Sequence, residues 1–328
     1  MSAVDTFGTL PDGRDVARIH LRAGKMEAAI LTWGATVQDL RFDGQRVVVG
    51  SDDLADYLGP LLYAGATVGR FANRIGNARF TLDGADHHTD PNFLDRHTLH
   101  GGSQGTGERL WTLDEATVDS VGLTLVLPDG DMGFPGEMTA RCTYRLDPAG
   151  ALSVEIEAQT TKASPCSFAH HGYFILDDSG DITRHRLTVA ADHYLPVDAD
   201  LIPTGEIADV AGTKFDFRTG REIGTQGYDH NLCLGSDRTA LRNVAELTSE
   251  ASGIAMGVAT TEPGLQVYNG AHLGGAPGHG GAILNPRAGL ALETQAWPDS
   301  PNRATFPPSI LRPGETYRAE TRYSFRRL

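Results

Sequence analysis

The chain has 328 residues, 40% hydrophobic and 21% charged, which excludes intrinsic disorder and allows two average domains or one large all-β domain. Lys and Arg number 28 against 42 Asp and Glu, a formal net charge of −14 that argues against nucleic acid or an anionic membrane as partner and fits a neutral small molecule. Cys142, Cys166 and Cys233 are widely spaced and form no CxxC pair, which points away from a disulfide framework or a zinc cluster.

Along the chain the dominant period is two. Arg18, His20 and Arg22 alternate with Ile19 and Leu21. Ser51 to Leu58 is the main helical candidate, with Ser51 as its cap. Leu123, Leu125 and Leu127 share one strand face, and Leu152, Val154, Ile156 and Ala158 alternate with Ser153, Glu155, Glu157 and Gln159. Near the C-terminus, Leu290, Leu292 and Thr294 form one face and Ala291, Glu293 and Gln295 the other, with Pro298 closing the run. Turn dipeptides punctuate these strands at Asp12-Gly13, Asp43-Gly44, Asp83-Gly84, Asp129-Gly130 and Pro313-Gly314. Strands do not alternate with long helices, and no linker or repeat divides the chain. The expectation is one all-β domain over residues 1–328, a large antiparallel β-sandwich. The first residues lack a basic, apolar leader, and no apolar run approaches the roughly 18 residues of a membrane span, so a cytoplasmic protein is expected.

The most informative residue is Glu293, a carboxylate placed mid-strand among apolar neighbours. Burial there raises its pKa, which suits a general base working near neutral pH; an edge strand would instead turn it to solvent as a structural residue.

Residues 292–302 read LETQAWPDSPN, followed by FPP at 306–308 and LRPGETY at 311–317. Upstream lie VGRFANRI (68–75), LHGG (99–102), GDMGFPG (130–136), YLPVD (194–198) with IPTG (202–205), DHN (229–231) and TTEPGLQVYNG (260–270). In this order, over roughly residues 15 to 325, the motifs resemble those of the aldose 1-epimerase (galactose mutarotase) family. The resemblance implies a large β-sandwich that interconverts the α and β anomers of aldoses without a cofactor or metal. It implies Glu293 as general base, His171 as general acid and His100 as a second histidine beside the ring oxygen. Arg74, Asn73 and Asp229 then hold sugar hydroxyls. A neutral monosaccharide is the implied partner, and the protein is expected as a monomer or homodimer.

Two places depart from the pattern. Where the family usually carries Asn, this chain has His170 and Ile175 within SFAHHGYFIL (167–176), and Ala271 replaces an Asn after Gly270. Strand alternation sets His170 and His171 on opposite faces, so a bulge that shifts the register gives His170 the acid role instead. The rival readings are a serine hydrolase, from the GGSQG at 101–105, a metal site using His87, His88, His170, His171 or Cys166, a non-catalytic sugar-binding sandwich, and a hexose 6-phosphate mutarotase. The first lacks a strand-to-helix turn around Ser103, the second a ligand-spaced cluster, the third a need for both acid and base, and the fourth a basic cluster.

Overall fold

A computed structural model of the chain describes residues 3–328. It is built almost entirely of antiparallel strands, with a single one-turn α-helix among the described residues, Leu54–Tyr57. Its N-cap is Asp53, whose carboxylate accepts the Ala55 N–H at 2.9 Å, rather than the expected Ser51. Ser51 is already committed: its N–H donates to the Tyr57 hydroxyl at 2.8 Å and its own hydroxyl to Asp56.

Nine antiparallel strands form the long sheet, in the order Thr112–Ala116, Ser120–Leu127, Met138–Asp147, Ala151–Thr160, Tyr317–Arg327, Ile254–Thr260, Arg242–Ser249, Arg186–Val189 and Arg221–Glu222. The alternating leucines of 123–127 and the Leu152 to Ala158 face are its inward side chains. Opposite lies a six-stranded sheet ordered Tyr173–Phe174, Leu290–Gln295, Gly264–Tyr268, Asp229–Cys233, His193–Tyr194 and Ala208–Asp209. A five-stranded N-terminal sheet runs from Ala3–Thr9 to Gln45–Arg46. It meets the six-stranded sheet edge to edge, where Val49 N–H donates to Tyr173 O at 2.8 Å and Ile175 N–H to Val47 O at 3.2 Å. One continuous apolar core joins the inward side chains of all three sheets, among them Ile19, Leu40, Leu123, Val154, Leu265, Leu292 and Tyr323. The expected β-sandwich is therefore present. The glycines of all five turn dipeptides adopt positive φ, between 81° and 88°.

The strand Leu290–Gln295 is interior, paired with Tyr173–Phe174 on one side and Gly264–Tyr268 on the other. All six of its residues are buried, so Glu293 does not face solvent from an edge. Leu290 and Leu292 turn into the core, and the opposite parity is left for the site.

Leu292 is fully buried, so Leu292→Ala is expected to cost about 2–5 kcal/mol of stability, read from urea denaturation midpoints. A loss below about 1 kcal/mol would show that this strand is not packed into the core.

Candidate active site

Strand register builds one wall of the site. Glu293 lies directly opposite Gln266, which lies opposite Asn231. One step along, Tyr173 and Tyr268 both oppose Ala291, and Asp229 opposes Tyr268. Directly opposed residues share a sheet face, so Glu293, Gln266, Tyr173, Tyr268 and Asp229 all stand on the side away from the core leucines.

The facing wall comes from tight loops. Arg74–Ile75 pairs with Thr98–Leu99, Leu99 opposite Arg74, which brings Asn73 beside His100. These two exchange hydrogen bonds: His100 N–H donates to Asn73 O at 2.9 Å, and Asn73 N–H donates to His100 Nδ1 at 3.1 Å. Both have positive φ, 62° and 50°, a strained conformation that this mutual bonding holds. Gly101 follows with φ 88°, and a Cβ there would lie 2.1 Å from Gly69 O. His171 is placed by its N–H bond to Ala66 O at 2.8 Å.

Across the cavity the charged groups converge. His171 Nε2 is 3.6 Å from Glu293 Oε1. Arg74 donates to Asp229 Oδ2 at 2.9 Å and to Asn73 Oδ1 at 3.2 Å, with its guanidinium 4.9 Å from the Phe93 ring centroid. Gln266 donates to the other Asp229 oxygen at 2.5 Å. Burial, reinforced by the Asp229 carboxylate and opposed by Arg74, pushes the Glu293 carboxyl up to about 8. Burial pulls His171 down to about 4, and it pulls His100 well below the usual histidine range. Glu293 Oε2, Arg74 Nε, Gln266 Oε1 and His171 Nδ1 are buried without a hydrogen-bond partner from the chain. Buried polar groups rarely stay unpaired, so this concentration marks a place for a polar ligand. The cavity measures about 420 Å3, within the range of small-molecule sites. A larger cleft of about 510 Å3 on the N-terminal sheet is lined by charges that satisfy one another, with Arg41 and Arg46 on Asp39 and Arg18 on Asp5.

All six residues singled out from the sequence, Glu293, His171, His100, Arg74, Asn73 and Asp229, line this one cavity. His170 does not. Its ring is buried in the sandwich core within 6.0 Å of Tyr144 and 5.8 Å of Tyr323, centroid to centroid, so no bulge exchanges the two histidines. Sequence reasoning missed Tyr63, Phe93, Tyr173, Tyr268 and His272 as cavity residues, and Gln266 as the partner of Asp229. Tyr173, Gln266 and Tyr268 were within reach, because they lie inside quoted motifs and share parity with the wall. Tyr63 and Phe93 come from loops and carry no periodic signal.

The rival sites fare differently. Ser103 sits on an exposed turn, its hydroxyl donating to Met132 Sδ at 3.9 Å, and among the described residues no histidine bonds to it. His87 stacks on Phe80, while Cys166 lies apart in the core. The expectation that no metal-ligand cluster exists needs correction. His100, His171 and Glu293 bring donor atoms within 4.8 Å of one another, a set that sequence spacing hides because three separate elements supply it. Its chemistry nevertheless fits a metal poorly. Nδ1 of His100 already accepts the Asn73 N–H, so the neutral ring carries its proton on Nε2 and has no lone pair there to coordinate.

What fold and site define is a β-sandwich protein with a buried carboxylate–imidazole pair in a cavity sized for a small molecule. The sequence profile described as aldose 1-epimerase matches residues 17–324. Galactose mutarotase of Mus musculus is 41% identical over 335 residues, covering 97% of each chain. Aldose 1-epimerase of Escherichia coli K12 is 36% identical over 342 residues, covering 98% of each. Among solved structures, a GalM/aldose epimerase homologue from C. elegans superposes with TM-score 0.90 at 30% identity, covering 95% of this chain and 99% of that one. The chain belongs to the aldose 1-epimerase family. It is an isomerase, and its reaction is the interconversion of the α and β anomers of aldoses.

Gly101→Ala is expected to displace His100, since the new methyl group cannot occupy the space of Gly69 O. Anomerisation should fall at least about tenfold and stability by at least about 1 kcal/mol. Unchanged rate and melting temperature would show that this turn does not hold the histidine.

Proposed function

We propose that the protein acts on free, neutral aldoses, galactose among them, with Glu293 as general base, His171 as general acid and His100 as a donor to the ring oxygen. Arg74, Asn73 and Asp229 then hold the sugar hydroxyls. The observation that carries this reading is the buried pair of Glu293 and His171, 3.6 Å apart, whose pKa values are driven in opposite directions by the same dry surroundings.

The signs work out as follows. A carboxyl raised to about 8 keeps its proton below that pH, and an imidazole lowered to about 4 stays neutral above it. Between those limits the pair shares one proton. The opposed shifts rest that proton on Glu293 with His171 neutral. In the reactive form it has passed to His171, and the ionised carboxylate removes the proton from the C1 hydroxyl while the imidazolium protonates the ring oxygen. The C1–O5 bond breaks and an open-chain aldehyde forms. The pair now stands as carboxylic acid and neutral imidazole. After rotation about C1–C2, the hydroxyl oxygen on C5 attacks the other face of the aldehyde. His171 takes back that hydroxyl proton, and Glu293 returns its own to O1. Every proton is accounted for within the site, so the step balances with no co-reactant. His100, with its proton fixed on Nε2, hydrogen-bonds the ring oxygen without titrating.

A phosphorylated sugar is disfavoured. Arg74 is the one Arg or Lys lining the cavity, and Asp229 already holds it. A non-catalytic sugar binder has no use for a desolvated carboxylate beside a desolvated imidazole. One core running from Ile19 to Phe325 supports a single domain over residues 1–328. All three cysteines are buried free thiols, in keeping with a reducing cytoplasm, and among the described residues no helix is long and apolar enough to cross a membrane.

Glu293→Gln is expected to lower anomerisation of freshly dissolved α-galactose by about 10²–10⁴-fold in polarimetry while sugar still binds. His171→Asn should fall comparably and His170→Asn should not; a near-normal rate in Glu293→Gln would overturn the assignment. For the wild type, kcat/KM is expected to hold steady at neutral pH and fall above about pH 8, where the pair loses its one proton. A rate still rising at pH 10 would count against Glu293 as the titrating group.

A further inference from the structure

Among the cavity residues to which the acid–base chemistry gives no role, His272 is the one imidazole. His272 lies on the short turn Ala271–Leu273, directly after the Ala271 substitution, and lines the same cavity as Glu293. Its ring stacks on Tyr268, with centroids 5.5 Å apart and 13° between planes, and meets the edge of Tyr173 at 5.9 Å. Its Nδ1 lies 2.6 Å from the Tyr268 hydroxyl.

The position is rigidly framed. Arg287 N–H donates to Gly270 O at 3.0 Å and closes the base of the loop that carries the turn. Leu273, the next residue, is buried in a small apolar cluster with Tyr173, Leu61 and Val49. Farther along the same loop, His279 Nδ1 lies 2.8 Å from Asp52 Oδ1 and its Nε2 3.1 Å from Gln38 O, while Gly280 N–H donates to Asp52 Oδ2 at 2.8 Å. His272 is exposed to solvent while lining the cavity, and its ring packs against two tyrosines, which lowers the entropic cost of holding it against a ligand.

The tyrosine also bears on the ring's tautomer. The Tyr268 hydroxyl and His272 Nδ1 share one hydrogen bond, and of the two neutral tautomers it is the one in which Nδ1 accepts that gives the cavity a donor. With Nδ1 accepting from Tyr268, the neutral ring carries its hydrogen on Nε2. In that tautomer His272 offers one N–H donor in the cavity that also holds the Arg74–Asp229 pair. A sugar presents several hydroxyls, and the one that meets this donor is favoured at a position where a plain aromatic ring gives only stacking.

We propose that His272 is a specificity-determining residue: its Nε2–H donates to one hydroxyl of the bound aldose, away from the reacting C1 and O5 atoms. The inference rests on the sugar-binding reading of the site. His272 contributes to affinity and sugar choice but not to proton transfer, so KM responds to its loss and kcat does not.

Two variants isolate the donor. His272→Phe keeps a flat ring and removes the N–H, and His272→Gln restores a donor at a similar distance from the backbone. Polarimetry with galactose, glucose and their single deoxy derivatives gives kcat and KM, and calorimetric titration gives sugar affinity without turnover. His272→Phe is expected to raise KM and Kd for the parent sugar about tenfold with kcat within about twofold, and His272→Gln to recover most of that loss. One deoxy sugar should bind wild type and His272→Phe equally, and it names the hydroxyl. The proposal is overturned if affinity is unchanged in His272→Phe, or if all deoxy sugars weaken by the same factor, as stacking alone would give. Failure of the aldose reading is seen separately, as a wild-type protein that turns over no sugar, and the titrations still decide whether His272 contributes to binding.

Discussion

The structure depends on keeping the Glu293 carboxyl out of water. An ionised carboxylate on a buried interior strand is costly, and the chain does not relieve the cost with a close salt bridge. Arg74, the obvious candidate, is spent on Asp229, which Gln266 holds from its other side. Glu293 is left with a weakly basic neighbour, His171, at 3.6 Å. Had Arg74 paired with Glu293 directly, its carboxyl would sit below the usual range and serve poorly as a base at neutral pH. The arrangement of Asp229 and Gln266 thus diverts the cation from Glu293.

Much of the fold was legible because period-two patterning and turn dipeptides act locally. The Leu152 to Ala158 strand and the five Gly turns needed no knowledge of distant contacts. The site was legible in a different way, through ordered motifs rather than through any single residue. Glu293 by itself was compatible with a solvent-facing edge, and the interior pairing that buries it is a long-range fact. The same limit hid Gln266, whose contact with Asp229 requires the register of two strands 37 positions apart. Tyr63 and Phe93 are harder still, since loop residues reach a cavity by chain path alone. The helix cap was misassigned because Ser51 and Asp53 both suit a cap, and a local rule does not show which is already bonded elsewhere.

The substituted segment at 167–176 shows how a strand tolerates a large change on one face while preserving the other. His171 remains at the cavity, and the adjacent departure, His170, falls among Tyr144, Phe174 and Tyr323. Burial holds that ring down at about 3, so it enters the core as an uncharged aromatic rather than as a cation. The family difference at this position is therefore one of packing, whereas Ala271 directly precedes the cavity residue His272.

The reciprocal bonding of Asn73 and His100 has a consequence for how the cavity meets a divalent metal ion. Two imidazoles and a carboxylate within 4.8 Å resemble a trap for such ions. By donating to Nδ1, the Asn73 amide forces the His100 hydrogen outward and turns that nitrogen from a ligand into an obstacle. With that nitrogen carrying a hydrogen, the neutral cluster presents donors from two residues, His171 and Glu293, where a tight site draws on at least three.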